Sequence, residues 1–229
     1  MTQGLHFSLG VALVVIIESH IMTEEDITLE VLRTVNRPED DDYWKDPVSN
    51  FVSESINRLL IKIDFEIFND IINVNAINDS SDKTSDLDLN NTFKRIELVL
   101  GKGGQQWRLM PFTSMVADVY LKSPQCLPAY TLAKRGNIII LPPRFNEELS
   151  IQGYLNITKS REVNYKYANE FLPAIHDYVY YDTLDRMYMF LQEDENIIAA
   201  NRQSRDSAFL DVETWNSGFK QVGIIQIFG

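Results

Sequence analysis

The spacing of apolar residues near the start of the chain predicts two helices. Residues 23–26 read Thr-Glu-Glu-Asp, a capping box with Asp in place of Glu or Gln, and an apolar residue then recurs every four positions until Pro38. A second helix start at Asp46-Pro47 precedes an apolar stripe at spacings of three and four, which is typical of one buried helix face. This stripe consists of Val48, Phe51, Val52, Ile56, Leu59, Leu60 and Ile63.

The middle of the chain alternates between apolar and polar residues, as half-buried strands do. Residues 93–100 and 106–109 flank a Gly-Lys-Gly-Gly turn, which predicts a hairpin. Residues 130–132 and 138–141 flank a Gly-Asn turn and predict another. The period therefore changes from that of a helix to that of a strand.

The remaining segments complete the predicted order of elements. Residues 78–91 are rich in Asp, Ser and Asn and predict a loop, whereas residues 149–157 alternate again and predict a strand. Helical character returns near Pro173 and continues, with a more polar pattern, over residues 197–209. Residues 212–229 are apolar but carry no helix signals, so an extended segment is expected there.

This order predicts an α+β fold: a helical bundle made of N-terminal and C-terminal helices, with an inserted antiparallel β domain and an extended C-terminal tail. The predicted segments are an N-terminal extension (1–22), the first bundle helices (23–72), the β-rich insert (73–165), the last bundle helices (166–211) and the tail (212–229).

Residues 9–17 form an apolar run near the N-terminus. The run is shorter than the ~20 residues of a membrane-spanning helix, and no Lys or Arg precedes it as in a secretory signal. A buried strand, a strand added to a neighbouring subunit, and a start of translation at Met22 remain open. We therefore expect no membrane partner.

Charge narrows the classes of function. The 229 residues include 21 Lys and Arg against 33 Asp and Glu, a net charge of -12, while 45% are hydrophobic. Such a balance indicates an acidic globular protein and argues against a surface that grips nucleic-acid phosphates. It leaves open a protein through which DNA passes without being held. A single cysteine, Cys126, excludes an internal disulfide and a multi-cysteine zinc site.

No motif for catalysis stands out. The glycine-rich turn at residues 101–104 precedes a strand rather than the helix that a phosphate-binding loop requires. His6, His20 and His176 are scattered, and the acidic residues 39–42 lack the ligand spacing of a calcium loop. We therefore expect no enzyme activity, no cofactor and no metal site.

Several short motifs between residues 107 and 184 carry a resemblance to a known family. They are Trp107-Arg108-Leu109-Met110-Pro111-Phe112, Pro128-Ala129-Tyr130-Thr131-Leu132, the segment from Arg135-Gly136-Asn137 to Pro142-Pro143, Gly153-Tyr154-Leu155, and Leu172-Pro173-Ala174-Ile175-His176-Asp177-Tyr178 leading into Tyr180-Tyr181-Asp182-Thr183-Leu184. In their order and spacing, they resemble the head–tail adaptor (neck, or connector) proteins of tailed bacteriophages. The resemblance covers residues 23–209.

The resemblance implies a structural virion protein, assembled in the bacterial cytoplasm and located in the neck. Its copies are expected to form a homo-oligomeric ring, dodecameric in the family, that binds the portal protein above and a tail or nozzle protein below. Double-stranded DNA would pass through the ring without specific binding. The alternatives are another tail or nozzle subunit, and a metal-dependent enzyme that uses the acidic loops.

Two groups of residues are the predicted sites. An apolar set in the tail is expected to contact the portal or a neighbouring subunit, although a strand folded back on the β insert would also explain it. This set comprises Trp215, Phe219, Val222, Ile224, Ile225, Ile227 and Phe228. An acidic set, Glu39, Asp40, Asp41 and Asp42, is expected to give negative potential at the lumen or rim of the ring, or to form an outer solvated loop.

Overall fold

The first helix begins where the capping box predicts. The computed structural model describes residues 21–113, 119, 129–157 and 167–226, apart from the side chains of 167–168 and 220–226. Helix α1 (Glu24–Thr34) is capped by Thr23, whose Oγ1 accepts the amide of Asp26 while Asp26 Oδ2 accepts the amide of Thr23 at 2.7 Å. These two bonds confirm the predicted start, because they satisfy amides that have no partner within the helix.

Helix α2 (Asp42–Lys62) begins five residues earlier than predicted. Asp41 is the cap, since its Oδ1 accepts the Tyr43 amide at 3.0 Å, and Pro47 lies inside the helix rather than at its start. Proline has no amide hydrogen, so α2 lacks one internal hydrogen bond there. Beyond it the predicted stripe is confirmed: Val48 and Val52 are fully buried.

The prediction of an extended C-terminal tail over residues 212–229 is wrong for residues 212–226. Helix α3 (Leu172–Leu191) begins at the predicted proline, and helix α4 (Glu195–Gln226) then continues for 32 residues, about 48 Å. The boundary predicted at residue 212 falls inside α4. The buried face of α4 includes Asn201 and Asn216, and these amides interrupt the apolar period on which a helix prediction depends.

Within the described residues, seven strands form one mixed sheet in the order β1-β7-β3-β4-β5-β6-β2. They are β1 (Asn69–Asn78), β2 (Ser85–Asp88), β3 (Phe93–Gly101), β4 (Gln106–Pro111), β5 (Thr131–Arg135), β6 (Ile138–Leu141) and β7 (Phe145–Leu155). The prediction of a purely antiparallel insert is wrong, because β4 and β5 pair in parallel with Arg108 opposite Thr131. A parallel pair needs a crossover connection, which local turn signals do not reveal.

The predicted hairpins are confirmed, and the predicted loop at 78–91 is wrong in part. Strands β3 and β4 pair antiparallel, as do β5 and β6. Inside the loop, β2 pairs with β6 and places Leu87 opposite Ile139. Its acidic sequence has little strand propensity of its own, so the apolar partner strand determines its conformation.

Helices and strands each have a core. The helical core contains residues of helices α1 to α4, among them Val52, Ile175 and Val212, together with the short 3-10 helix Glu66–Phe68. The sheet core is a separate cluster of buried residues, contributed mainly by the strands, and it includes the fully buried Phe93. The fold is therefore mixed α and β. None of the helices in the described ranges has both the length and the apolar character that crossing a bilayer requires.

Candidate functional site

The start of α2 lies beside the end of α3. Two contacts show the relative direction of these helices. Ser55 Oγ on α2 donates to Asp182 Oδ2 on α3 at 2.7 Å, while Trp44, earlier on α2, contacts Phe190, later on α3. The two helices are antiparallel. We call the group formed by helices α1 to α4 the helical layer. The α1–α2 connection and the α3–α4 connection consequently lie at the same end of this layer, and we call that end the connection end.

An aromatic group occupies the connection end. The ring centroids of Tyr43 and Trp44 are 5.1 Å apart, and those of Trp44 and Phe190 are 6.4 Å apart, both pairs edge to face. The Arg37 guanidinium lies 4.4 Å from the centre of the Trp44 ring. We call Tyr43, Trp44 and Phe190 the aromatic corner. Cation–π and edge-to-face contacts hold Trp44 between its neighbours.

The four predicted acidic residues lie immediately before the aromatic corner, and each has a different environment. Glu39 pairs with Arg33, 2.7 Å from Nε to Oε1, and this hydrogen bond holds the pKa of Glu39 below its usual value. Asp41 caps α2, Asp42 is its first residue, and Asp40 is exposed. Two of the four therefore stabilise the start of a helix, where negative charge is favourable. Their direction in a ring stays a prediction.

A charged network is buried between α2, α3 and α4. Asp182 and Asp185 are only 4% and 5% exposed. Asp182 Oδ2 accepts hydrogen bonds from Ser55 and, at 3.2 Å, from Arg186, while Arg205 Nη1 lies 3.4 Å from Asp185 Oδ2. Each carboxylate has a cationic partner, without which its burial would be costly. The network joins the three helices to one another.

A second set of polar contacts joins the helical core to the sheet. Lys94 Nζ, on β3, donates to the carbonyl oxygens of Leu60 and Ile63 at 2.7 Å and lies 2.9 Å from Asp64 Oδ1. From α4, Asn216 Nδ2 donates to the carbonyl oxygen of Asp64 at 3.0 Å. The cation thus satisfies the last carbonyl groups of α2. An adjoining cavity of about 230 Å³ is lined mainly by apolar side chains.

Of the predicted partner-binding residues, the structure describes the side chains of two, and the side chains of the other five lie outside the described residues. Trp215 and Phe219 lie on α4 with ring centroids 5.0 Å apart, and Trp215 also contacts Phe65 in the helical core at 6.3 Å. Trp215 thus packs against the chain's own core, although as part of a helix rather than a strand. The side chains of Val222, Ile224 and Ile225, together with the whole of Ile227 and Phe228, lie outside the described residues.

His176 is the one histidine within the described residues. Its Nε2 lies 2.8 Å from Glu30 Oε2 and its Nδ1 lies 2.8 Å from Asp177 Oδ1. Burial lowers the pKa of His176, but hydrogen bonds to Asp177 and Glu30 and the charges of both outweigh it, so this pKa is raised. In the described ranges no three His, Cys, Asp or Glu side chains form a group suited to a metal ion.

Sequence reasoning missed the aromatic corner. Tyr43-Trp44 precedes the helix start that the sequence predicts, and Phe190 lies outside the apolar stripe of the helix near Pro173. That stripe includes Ile175, Val179, Leu184, Met187 and Leu191. The available signal was an aromatic pair directly after an acidic run. Its contact with Phe190, 146 positions beyond Trp44, depends on how α2 and α3 pack. No protein-family model matches the chain, and a comparison with curated proteins finds no match.

Proposed function

We propose that this protein is a structural subunit of a tailed-phage virion, a head–tail adaptor whose copies form a ring between portal and tail. The ring is dodecameric in the proposal, as the resemblance implies, and double-stranded DNA passes through it. The chain contributes surfaces rather than catalytic groups. Its location is the neck of the virion.

The observation that carries the proposal is the shared core of the helices. Helices α1 and α2 precede the seven strands in the chain and α3 and α4 follow them, yet all four contribute to one cluster of buried residues. The strands between have a cluster of their own. This supports the finer fold of the proposal, a helical bundle into which a β domain is inserted, as the phage resemblance implies.

The net negative charge of the chain supports passage of DNA. With 33 acidic against 21 basic residues, a ring of such subunits repels phosphates rather than binding them. In the proposal the acidic residues 39–42 face the lumen or the rim. Residues 39–42 lie at the connection end, so in the proposal the connection end of the helical layer faces the path of the DNA.

Residues 220–229 are proposed to dock on the portal. The segment contains Val222, Ile224, Ile225, Ile227 and Phe228. Deletion of all residues from 212 onward is a poor test, because Val212 and Asn216 are 2% and 7% exposed and belong to the helical layer. Removing residues 220–229 keeps every core residue that the structure describes. We expect a folded subunit that no longer binds the portal.

Negative-stain imaging of the purified protein, alone and with purified portal, tests the proposal. The expected result is rings with a central hole, and joined portal–adaptor particles for the full chain. The variant without residues 220–229 should retain its helical circular dichroism and lose the joined particles. A protein that stays monomeric at high concentration and in the presence of portal would contradict the proposed function.

A further inference from the structure

Two of the three rings of the aromatic corner are largely exposed to solvent. Tyr43 is 69% exposed and Phe190 is 55% exposed, and both contact the ring of Trp44 between them. Single exposed apolar residues are common on protein surfaces, whereas adjoining ones mark contact sites. Aromatic side chains are also enriched at the centres of protein interfaces. The corner therefore has the composition of an interface centre.

Two acidic runs from distant parts of the sequence flank this corner. Residues 40–42 come directly before Tyr43, and residues 193–195 follow the end of α3. The amide of Glu193 donates to the carbonyl oxygen of Tyr188 at 3.0 Å, which folds the second run back on the last turn of α3, next to Phe190. All six acidic residues are exposed.

The basic residues nearby are engaged within the chain. Arg33 pairs with Glu39, Lys45 Nζ lies 2.7 Å from Glu25 Oε1, and the Arg37 guanidinium lies over Trp44. Arg37 adds one positive charge beside the six acidic residues of the two flanking runs, so an excess of negative charge remains. The corner is thus an apolar centre with an acidic rim, and that combination defines the chemistry of its partner.

We propose that the aromatic corner binds a basic segment of a second protein, rich in arginine and carrying an aliphatic or aromatic anchor. The anchor packs on Tyr43 and Phe190, and the arginines pair with the rim. Arginine suits the site better than lysine, because its planar guanidinium pairs bidentately with carboxylates and stacks on exposed aromatic faces. Nucleic acid does not fit, since the rim repels phosphates.

This inference rests on the proposed function in one respect, that the protein works by binding other proteins. The probe is a short fluorescent peptide of arginine, leucine and alanine, with its leucines on one helical face. A second peptide with every arginine replaced by glutamine is its control. Fluorescence anisotropy measures binding to the full chain, and mass photometry of the same samples measures the size of the oligomer.

Two variants test the two parts of the surface. Phe190→Ala should weaken binding of the arginine peptide by at least about tenfold, as truncation of an interface centre does. The double variant Asp40→Asn, Glu193→Gln should weaken it by about fivefold at low salt, and less at high salt where charges are screened. Neither residue of the double variant caps a helix, since Asp41 and Asp194 accept the capping amides.

Matched controls lie on α4. Leu210, 62% exposed, is changed to Ala, and the exposed Glu213 is changed to Gln. Each should stay within about twofold of the unchanged chain, because effects on binding are confined to a few interface residues. The glutamine peptide should bind weakly to every variant. Circular dichroism should be the same for all four proteins, since every substituted side chain is exposed.

The outcomes separate this inference from the proposed function. Equal affinity of all variants, equal binding of both peptides, or no binding of the arginine peptide would overturn the inference while leaving rings intact. Loss of the ring in Phe190→Ala would also overturn it, since the corner would then contact a second copy of this chain. Absence of rings together with the expected peptide binding would reject the proposed function and support the inference.

Discussion

The helical layer and the sheet are held together differently. Between the helices, Ser55, Asp182 and Asp185 are buried and bonded to one another or to arginines. The sheet core, by contrast, consists of hydrophobic residues such as Phe93, Val99 and Leu149. Buried charge is therefore concentrated where helices meet, whereas the sheet is stabilised by buried apolar side chains.

The difference follows from how each element fixes its position. Strands are placed by backbone hydrogen bonds, which set the register residue by residue. Packed helices have no backbone bonds between them, and apolar faces alone tolerate sliding. We infer that the Asp182 network specifies how α2, α3 and α4 meet, which is a use that buried ion pairs have in some proteins.

The largest expected effect comes from the sheet core. Phe93→Ala should lower the free energy of unfolding by about 4 kcal/mol, because Phe93 is fully buried and its loss leaves a cavity. Chemical denaturation followed by circular dichroism measures the change. Ile77→Ala, at a residue that is 52% exposed on β1, is the control and should cost much less. Similar losses in both would show that the sheet core is not well packed.

The next effect tests the charged network. Asp182→Ala should lower the free energy of unfolding by about 2 kcal/mol, because Ser55 and Arg186 both lose this buried acceptor, while Arg186 keeps its pair with Glu54 at 2.6 Å. Asp182→Asn keeps a partner for Ser55 and should cost less. The control is Asp211→Ala at an exposed position of α4. If Asp182→Ala is as mild as the control in urea denaturation, the network does not stabilise the helical layer.

Two glycines compare the regions directly. A methyl group on Gly153 of β7 would clash with the carbonyl oxygen of Arg95, so Gly153→Ala should cost about 1–3 kcal/mol. At Gly218 in α4, the described residues beyond its chain neighbours and its own helix backbone place no atom within 4 Å of that position, so Gly218→Ala should stabilise by up to about 1 kcal/mol. Thermal melts of both variants check the opposite signs. The same sign in both would contradict the close approach of β7 to β3.

The smallest effect depends on pH and concerns the contact between α1 and α3. The folded protein raises the pKa of His176 above its unfolded value of about 6.5, through Asp177 and Glu30. Its stabilising contribution is present below that unfolded value and is lost as pH rises through the folded pKa. The stability difference between the unchanged chain and His176→Gln should therefore shrink from pH 6 to pH 8. Denaturation at several pH values measures it, and a difference that grows would contradict the raised pKa.

The sequence predicted those features that depend on neighbours in the chain. The capping box at Thr23, the apolar stripe of α2 and the two hairpins all depend on local hydrogen bonds or on a single period. The predicted acidic residues 39–42 lie just before and at the start of α2, and their role in a ring stays a prediction; the use of Asp41 as the cap of α2 was missed. The reason is that Pro47 gave a stronger local signal for the start of that helix.

Tertiary structure decided the features that depend on a distant partner. Asn201 and Asn216 break the apolar period of α4, and they are tolerated inside because the carbonyl oxygens of Tyr181 and Asp64 accept their amides. The parallel pairing of β4 with β5 needs a crossover, and the aromatic corner exists because α2 and α3 run antiparallel. The sequence by itself determined where most helices and strands form, since caps, turns and periods are local. Only the packed chain determined which polar residues are buried and which apolar ones meet at the surface, since their partners lie far away in the sequence.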